Sequence, residues 1–463
     1  MSEAGNARLP AAARAWGCVV VLLLGYAAAF AAPRTEAGPA PGGAGSRDAA
    51  TGAPDLAPEA GGARGAEAEA APGGDGDLAA ALRAIPMVPH ANPASPYYAG
   101  LPLSRVAQDS LTEEVELRGH RDGMSFVWTG SAIQQQDSLP TSNGVLNEAV
   151  LDRDWGGMRW SVGKKVMSWD VGFGFRPLDV VQQENRRALL VYALEGIPGV
   201  SAESYGADSA WTFVLANPAR GEAKQPRDDA SVAARYYRRI EGVDGYAVAR
   251  LSRRDEAQAG ASFAWIINDN LEWHASGLYQ RRYELTIDGL VDEAGAVLAR
   301  GDPLATVARH DAALALVGAS LSGEAGWSVL AEAWHDGTAY ERSDWLALQT
   351  LDARQLALAL RPGVPAAALA ANLAFSSSYY LPSNLLRENL LLHASYKIDK
   401  LTPALDVLET PADGGVVATA SAEYEGNRGR IDVGLRLLTG RTGSVYRQAP
   451  ANRIFYLGAS WFL

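Results

Sequence analysis

A chain of 463 residues, 48% hydrophobic, with one Cys and a formal net charge of -12, has the length of two or three soluble domains, but all-β barrels routinely exceed the usual domain size. Beyond the N-terminus there is no run of about 20 apolar residues, so a membrane helix is excluded there. If the chain lives in a membrane, it must cross with strands that close on themselves, because lipid leaves no open sheet edge satisfied.

In chain order, Arg8 and Arg14 supply a positive n-region, Trp16 to Ala31 is apolar, and Ala29-Phe30-Ala31 offers a small-x-small cleavage site. Residues 1–31 are therefore expected to be an export signal. Its removal would take away Cys18, and with it any disulfide scaffold or thiolate metal site. Export without disulfides fits a Gram-negative envelope. From about Ala32 to Leu82 the chain is Ala, Gly, Pro, Glu and Asp with almost no aromatics. Such a segment buries too little apolar area to offset its ordering entropy. Residues 32–108 are expected to be a disordered, low-complexity periplasmic segment, a spacer that could also reach a periplasmic protein partner.

From Glu114 onward the hydrophobic period becomes two. Ile431, Val433, Leu435 and Leu437 alternate with Asp432, Gly434 and Arg436; Val416, Ala418, Ala420, Ala422 and Tyr424 alternate with Thr419, Ser421, Glu423 and Glu425. Leu390, Leu392, Ala394, Tyr396 and Ile398 alternate with His393, Ser395, Lys397 and Asp399. Leu271, Trp273, Ala275, Gly277 and Tyr279 alternate with Glu272, His274, Ser276 and Gln280. Each segment thus has one apolar and one polar face. A soluble sandwich also alternates. Aromatics near the ends of the apolar faces, segments of roughly ten residues, and mixed charges on the polar faces favour a membrane barrel with a wet lumen. Candidate strands fall near 113–119, 124–134, 145–153, 158–168, 190–204, 209–217, 231–240, 245–254, 260–268, 271–283, 309–322, 327–336, 387–399, 403–409, 415–425, 429–438 and 453–463. Single-chain bacterial barrels normally have an even number of strands, so one candidate is expected to be false. The expected fold is a closed antiparallel transmembrane β-barrel over residues 109–463, with about sixteen strands, or fourteen as the alternative.

The chain ends on an apolar face of Phe455, Leu457, Ala459, Trp461 and Leu463. The pattern Tyr456-x-Gly458-x-x-Trp461-x-Leu463 resembles the terminal strand signal by which Gram-negative outer-membrane barrels are recognised for assembly, with Leu in place of the usual terminal aromatic. The resemblance implies an outer-membrane location and the barrel-assembly machinery, membrane lipid and lipopolysaccharide as partners.

Two stretches break the strand rhythm. Ser168 to Asp179, followed by a polar run to Arg187, resembles a Trp-Gly-aromatic then Pro-x-Asp segment of porin-like and alginate-export-like proteobacterial barrels. The resemblance implies a segment folded into the lumen, with Arg176, Asp179, Glu184, Arg186 and Arg187 at a constriction; an ordinary turn capped by Asp179 is the other reading. Between Glu341 and Asn384, Ser343-Asp344 is placed to cap a helix from Trp345 to Leu360. Trp345, Leu348, Leu351, Gln355 and Leu358 would form one face, and Pro362 and Pro365 would break it. Connections of such length tend to be functional, which suggests a surface cap or plug.

The histidines, at 90, 120, 274, 310, 335 and 393, show no metal spacing, and there is no nucleophile elbow or phosphate loop. No cofactor, metal or nucleic-acid partner is expected. Ser395 lies two residues from His393, the pairing a lipid-modifying barrel enzyme would need, but the alternation aims both inward. The expected lumen lining adds Glu332, His393, Lys397, Glu423, Asp432 and Arg436 to the constriction residues. Arginines 235, 238, 239, 250, 253 and 254 form a basic cluster that would attract anionic solutes or sit at the membrane boundary. The leading expectation is a non-enzymatic channel, a porin or an export conduit, for a small polar solute, anionic ones included, or an exported polymer. A partner-binding scaffold barrel and a lipid-modifying enzyme are the alternatives.

Overall fold

The computed structural model describes residues 78–98, 108–136, 138–184, 189–190, 194–218, 229–292, 297–359 and 361–463. The export signal and most of the low-complexity segment lie outside them. The described chain contains β1 (Leu78–Ala91), β2 (Ser110–Arg121), β3 (Met124–Gln135), β4 (Thr141–Trp155), β5 (Met158–Lys165) and β6 (Ile197–Tyr205). They are followed by β7 (Ser209–Ala216), β8 (Ser231–Ile240), β9 (Val243–Ser252), β10 (Ala257–Asn268), β11 (Leu271–Asp288) and β12 (Leu304–Ser322). The last six are β13 (Trp327–Asp336), β14 (Glu388–Tyr396), β15 (Leu401–Thr410), β16 (Gly415–Glu425), β17 (Gly429–Gly440) and β18 (Ala451–Phe462). Each strand pairs antiparallel with its neighbours in sequence, and β1 pairs with both β2 and β18, so the 18-stranded sheet closes and leaves no edge.

The expected count of about sixteen strands is corrected to eighteen. All seventeen candidate segments are strands, and the missing one is β1, within the stretch read as low-complexity; the barrel begins at Leu78, not at residue 109. Its sequence, LAAALRAIPMVPHA, lacks the β-branched and aromatic density that marks a strand, and two prolines argue against a ladder position paired on both sides. The register shows how they are tolerated. Pro86 falls where the β18 ladder is interrupted between Ala84 and Met87, and Pro89 lies beyond the end of the β2 ladder.

The wall is inside-out relative to a soluble protein. Leu390 and Leu392, Ile431, Leu435 and Leu437, and Phe455 and Trp461 face outward and are exposed, as the alternation requires. Their inward neighbours include buried Arg83, Glu116, His274, Glu332, His393 and Thr419. No described helix is long and apolar enough to cross a membrane.

The two rims differ. At one, short turns join β2–β3, β4–β5, β6–β7, β8–β9, β10–β11, β12–β13, β14–β15 and β16–β17, and both Leu78 and the C-terminus lie there. Asp122-Gly123 (φ 52° and 73°) and Glu241-Gly242 (φ 44° and 84°) make two of these turns tight, with both central residues in the left-handed region that suits hairpin twist. Near this rim the outer wall carries exposed Trp128, Trp155, Trp211, Trp265, Trp273, Trp327, Tyr396, Tyr424 and Trp461, an aromatic girdle of the kind that marks a membrane–water boundary.

The opposite rim carries the long connections. There β11 and β12 stay paired as far as Asp288 and Leu304, past the last β10 and β13 partners at Gln280 and Leu314, and so project as a ribbon. The β13–β14 connection holds α1 (Arg342–Ala359) and α2 (Ala366–Ser377). As the spacing predicts, Trp345, Leu348, Leu351 and Gln355 form the buried face of α1, with Leu358 half-buried, and Pro365 precedes α2. The Asp344 carboxylate accepts from the Glu341 backbone N–H at 2.8 Å and closes the first turn. These helices bridge the mouth. On one side Tyr340 donates to the Thr286 carbonyl at 2.6 Å, Tyr379 accepts from Asp288 N–H at 2.7 Å, and Gln355 donates to the Val297 carbonyl at 3.1 Å. On the other, Arg342 and Gln349 each donate to the Gly443 carbonyl at 3.1 Å, and Tyr97 donates to Asp352 at 3.0 Å.

Candidate lumenal constriction

Strand β5 ends at Lys165 and the chain turns into the barrel instead of over its rim. The cause lies in side chains on both surfaces. Trp169, Leu178, Val180 and Val181 are apolar and buried, and the inner wall they meet is apolar too, offering Val214, Ala233, Val248, Leu278 and Leu314 from β7, β8, β9, β11 and β12. Burial of this kind contributes about 1.5–3 kcal/mol for each large side chain. The tip reaches further along the wall: Phe175 stacks on Trp334 of β13 (5.9 Å between centroids), and Phe173 packs against the His393 ring of β14 (5.2 Å).

Two carboxylates tie the loop to itself. Asp179 accepts from the Trp169 and Asp170 N–H groups (2.6 and 3.0 Å) and pairs with Arg176 at 2.9 Å. Asp170 accepts from Leu178 and Val171 N–H (2.7 Å each), and Gln182 accepts from Met167 N–H at 3.0 Å. The backbone polar groups of an irregular segment are thus satisfied internally, as burial demands. Burial pushes the Asp179 carboxyl up to about 6, against the opposing pull of Arg176, and raises Asp170 as well.

A third carboxylate ties the loop to the wall. Glu332 of β13 accepts from the Phe173 and Gly174 backbone N–H groups at 2.7 Å each, and its Oε1 lies 2.9 Å from His274 Nε2 of β11. Gly174 suits this close approach: a Cβ there would lie 2.5 Å from Leu391 Cδ2, and that side chain would have to move. Gly318 of β12 makes room in the same way, since a Cβ would lie 2.3 Å from His274 Nε2. The loop is therefore pinned across the inner wall from β7 to β14.

What remains is the arc of β15–β18 and β1–β5, whose inner face is polar and internally neutralised. Arg83 pairs with Glu114 (2.6 Å) and Glu116 (3.0 Å), and Arg118 pairs with Glu116. Arg430 pairs with Asp432 (3.1 Å), Arg436 donates to Thr419 (3.0 Å), and Asn147 donates to Thr129 (2.6 Å). Opposite charges so arranged leave a polar inner face without a dominant sign, in which Arg83, Glu116, Thr129, Asn147 and Thr419 are themselves buried.

Among the sequence-predicted residues, Arg176 and Asp179 come together, but as a buried ion pair that shapes the loop rather than an open ring of charge. Glu332 is corrected from pore lining to loop anchor, because its side chain is fully covered. His393 is buried, with its Nδ1 2.8 Å from Asp406, not directed at Ser395. Lys397 lies outside β14, exposed in the turn that follows. Glu423 and Asp432 face each other across β16–β17, with Arg436 on the same strand as Asp432. Glu184 is half-buried beyond the loop's tip, whereas Arg186 and Arg187 lie outside the described residues. In the basic cluster, Arg235 lies 4.5 Å over the Tyr246 ring and Arg250 pairs with Asp229 and Asp255, while Arg238 is exposed on the outer face. At the terminus, Trp461 and Leu463 face outward, whereas Tyr456 is buried with Gly458 on the inner face. Sequence reasoning missed Asp170, Gly318 and the anchoring role of His274; the partners of Gly318 and His274 are remote in the chain, and only the fold joins them.

A closed barrel with nearest-neighbour antiparallel pairing, an inward-folded loop and an apolar outer belt is the architecture of an outer-membrane porin. Acinetobacter baumannii OccAB1 superposes with a TM-score of 0.50 at 7% identity, covering 84% of this chain and 96% of that one. Pseudomonas aeruginosa OccK11 (OpdR) gives 0.48 at 11% identity over 84% and 96%, and a mutant of the Rh. blastica porin gives 0.40 at 12% identity over 84% and 100%. No protein-family model matches the chain, and no curated protein matches it in sequence. The chain has the fold of an outer-membrane porin.

Proposed function

We propose that this protein is an outer-membrane channel through which small polar solutes diffuse passively, with the inward loop setting the size limit. The observation that carries the reading is the loop pinned by Glu332 against one arc of the wall, which leaves a polar, charge-paired arc opposite. A passage with donors, acceptors and balanced charge on its walls stabilises hydrated solutes and offers little to apolar ones. The long-loop rim then faces outside the cell and the short-turn rim the periplasm. Arg235, lodged in the lumen beside the loop, favours solutes that carry negative charge. Liposome swelling with neutral sugars of increasing size tests the reading: entry should stop at a sharp size limit. Liposomes bearing the folded protein that swell no faster than empty ones would overturn it.

A further inference from the structure

The helices that bridge the mouth contain one buried group that the channel reading does not use. Asp352 of α1 is 2% exposed, and its Oδ1 has no hydrogen-bond partner among the described residues. Its Oδ2 accepts from the Tyr97 hydroxyl, which the β1–β2 connection carries at this same rim. Around it close Tyr97, Leu369 and Leu373, with Leu298, Leu356 and Tyr380 at the edge. The groups that face it are Tyr97, Ser376 of α2 and, further off, Asp288 at the end of β11; Tyr379 and Tyr380, which follow α2, flank Tyr97. None of these is a cation.

A carboxyl in such a place is tolerated when neutral and strongly disfavoured when ionised, because burial removes water and Asp288 adds repulsion. The same reasoning explains why burial pushes its titration up to about 7. Asp352 sits where two separate connections meet, the β13–β14 connection with α1 and α2 and the β1–β2 connection with Tyr97. Ionising it therefore strains the joint that seats the cap on the mouth, not the barrel wall.

We propose that Asp352 is a proton-operated latch for the helical cap: protonated, it seats α1 and α2 on the β1–β2 connection, and ionised, it loosens that seat and frees the mouth. The direction follows from linkage. In the closed cap the carboxyl holds its proton up to about pH 7, and in a released, hydrated cap only to about 4, so closure weakens as pH rises through that interval. As a gate, the device rests on the channel reading; as a motion of the cap, it does not.

The test is hydrogen exchange of α1 and α2 amides in the full chain, folded in detergent, corrected for intrinsic rates. Between pH 5 and pH 7 protection should fall by about tenfold per pH unit, and Asp352→Asn should abolish that slope and keep the high protection. Tyr97→Phe removes a donor to the carboxylate and should move the break to higher pH. A wild-type protection that is flat with pH overturns the proposal. So does a slope that persists in Asp352→Asn, or one that disappears only in Asp288→Asn. Because exchange is read on the protein, a chain that conducts nothing but shows the slope would fail the channel reading and leave the latch standing.

Discussion

Replacing Glu332 by Ala isolates the anchor that holds the loop across the lumen. The carboxylate accepts two backbone N–H groups at 2.7 Å and meets His274 Nε2 at 2.9 Å. Removing it leaves two donors in a buried place without an acceptor, at about 1–3 kcal/mol each. The loop's apolar contacts with β7–β12 remain, so the loss falls on the tip, from Phe173 to Phe175. A shift of about 4 kcal/mol changes the ratio of docked to undocked tip by roughly a thousandfold. The barrel ladders are untouched, and the variant should fold. Single-channel recording should show flickering between the native level and a larger one, and the solute size limit should rise. Glu332→Gln should be intermediate, since its carbonyl still serves one donor. A folded Glu332→Ala channel with native conductance, native noise and an unchanged size limit would refute the idea that this carboxylate sets the constriction.

Three further outcomes follow from the same geometry. Asp179 is held near 6 by burial, so the loop's stability should fall by about 3 kcal/mol as pH rises from about 4 to 6, and Asp179→Asn should remove that dependence, as read by protease nicking of the loop. Gly318→Val should push His274 off Glu332 and reproduce a weaker form of the anchor's loss, about 1–3 kcal/mol from overpacking, seen as added current noise. Deleting residues 78–91 should leave β2 and β18 as open edges, so that the chain no longer shows the heat-dependent shift in gel mobility of a closed barrel; a deletion variant that retains the shift would contradict the role given to β1.

The wall was legible in the sequence because one face of each strand meets an apolar medium and the other a polar one, so the period of two survives in segments such as Ile431–Leu437 and Leu390–Ile398. β1 escaped because apolar residues occupy both its faces, Leu78, Leu82 and Val88 outward and Ala81, Ile85 and Met87 inward, and its prolines sit at ladder interruptions that only the neighbouring strands reveal. The parity argument was sound, but the odd count meant a missing strand and not a surplus one. The cap helix was visible from a cap, a face and two prolines, all local signals. The anchor was not: Glu332 alternates like any inward residue, and its partners Phe173 and Gly174 lie far away in the chain. Asp352 falls on the buried face of its helix, four residues after Leu348 and seven after Trp345, but nothing nearby in sequence announces Tyr97 as its neighbour.

The most direct measurement places single cysteines at Leu435 and Arg436 in a chain whose Cys18 is replaced by Ser, reconstituted in lipid vesicles. The two positions are adjacent in β17, with Leu435 exposed on the outer wall and Arg436 turned inward to Thr419. A charged, water-soluble thiol reagent should modify position 436 and spare position 435, which a lipid-dissolved reagent should reach instead. The reverse pattern, or equal labelling of both by the water-soluble reagent, would contradict a hydrated lumen inside an apolar wall.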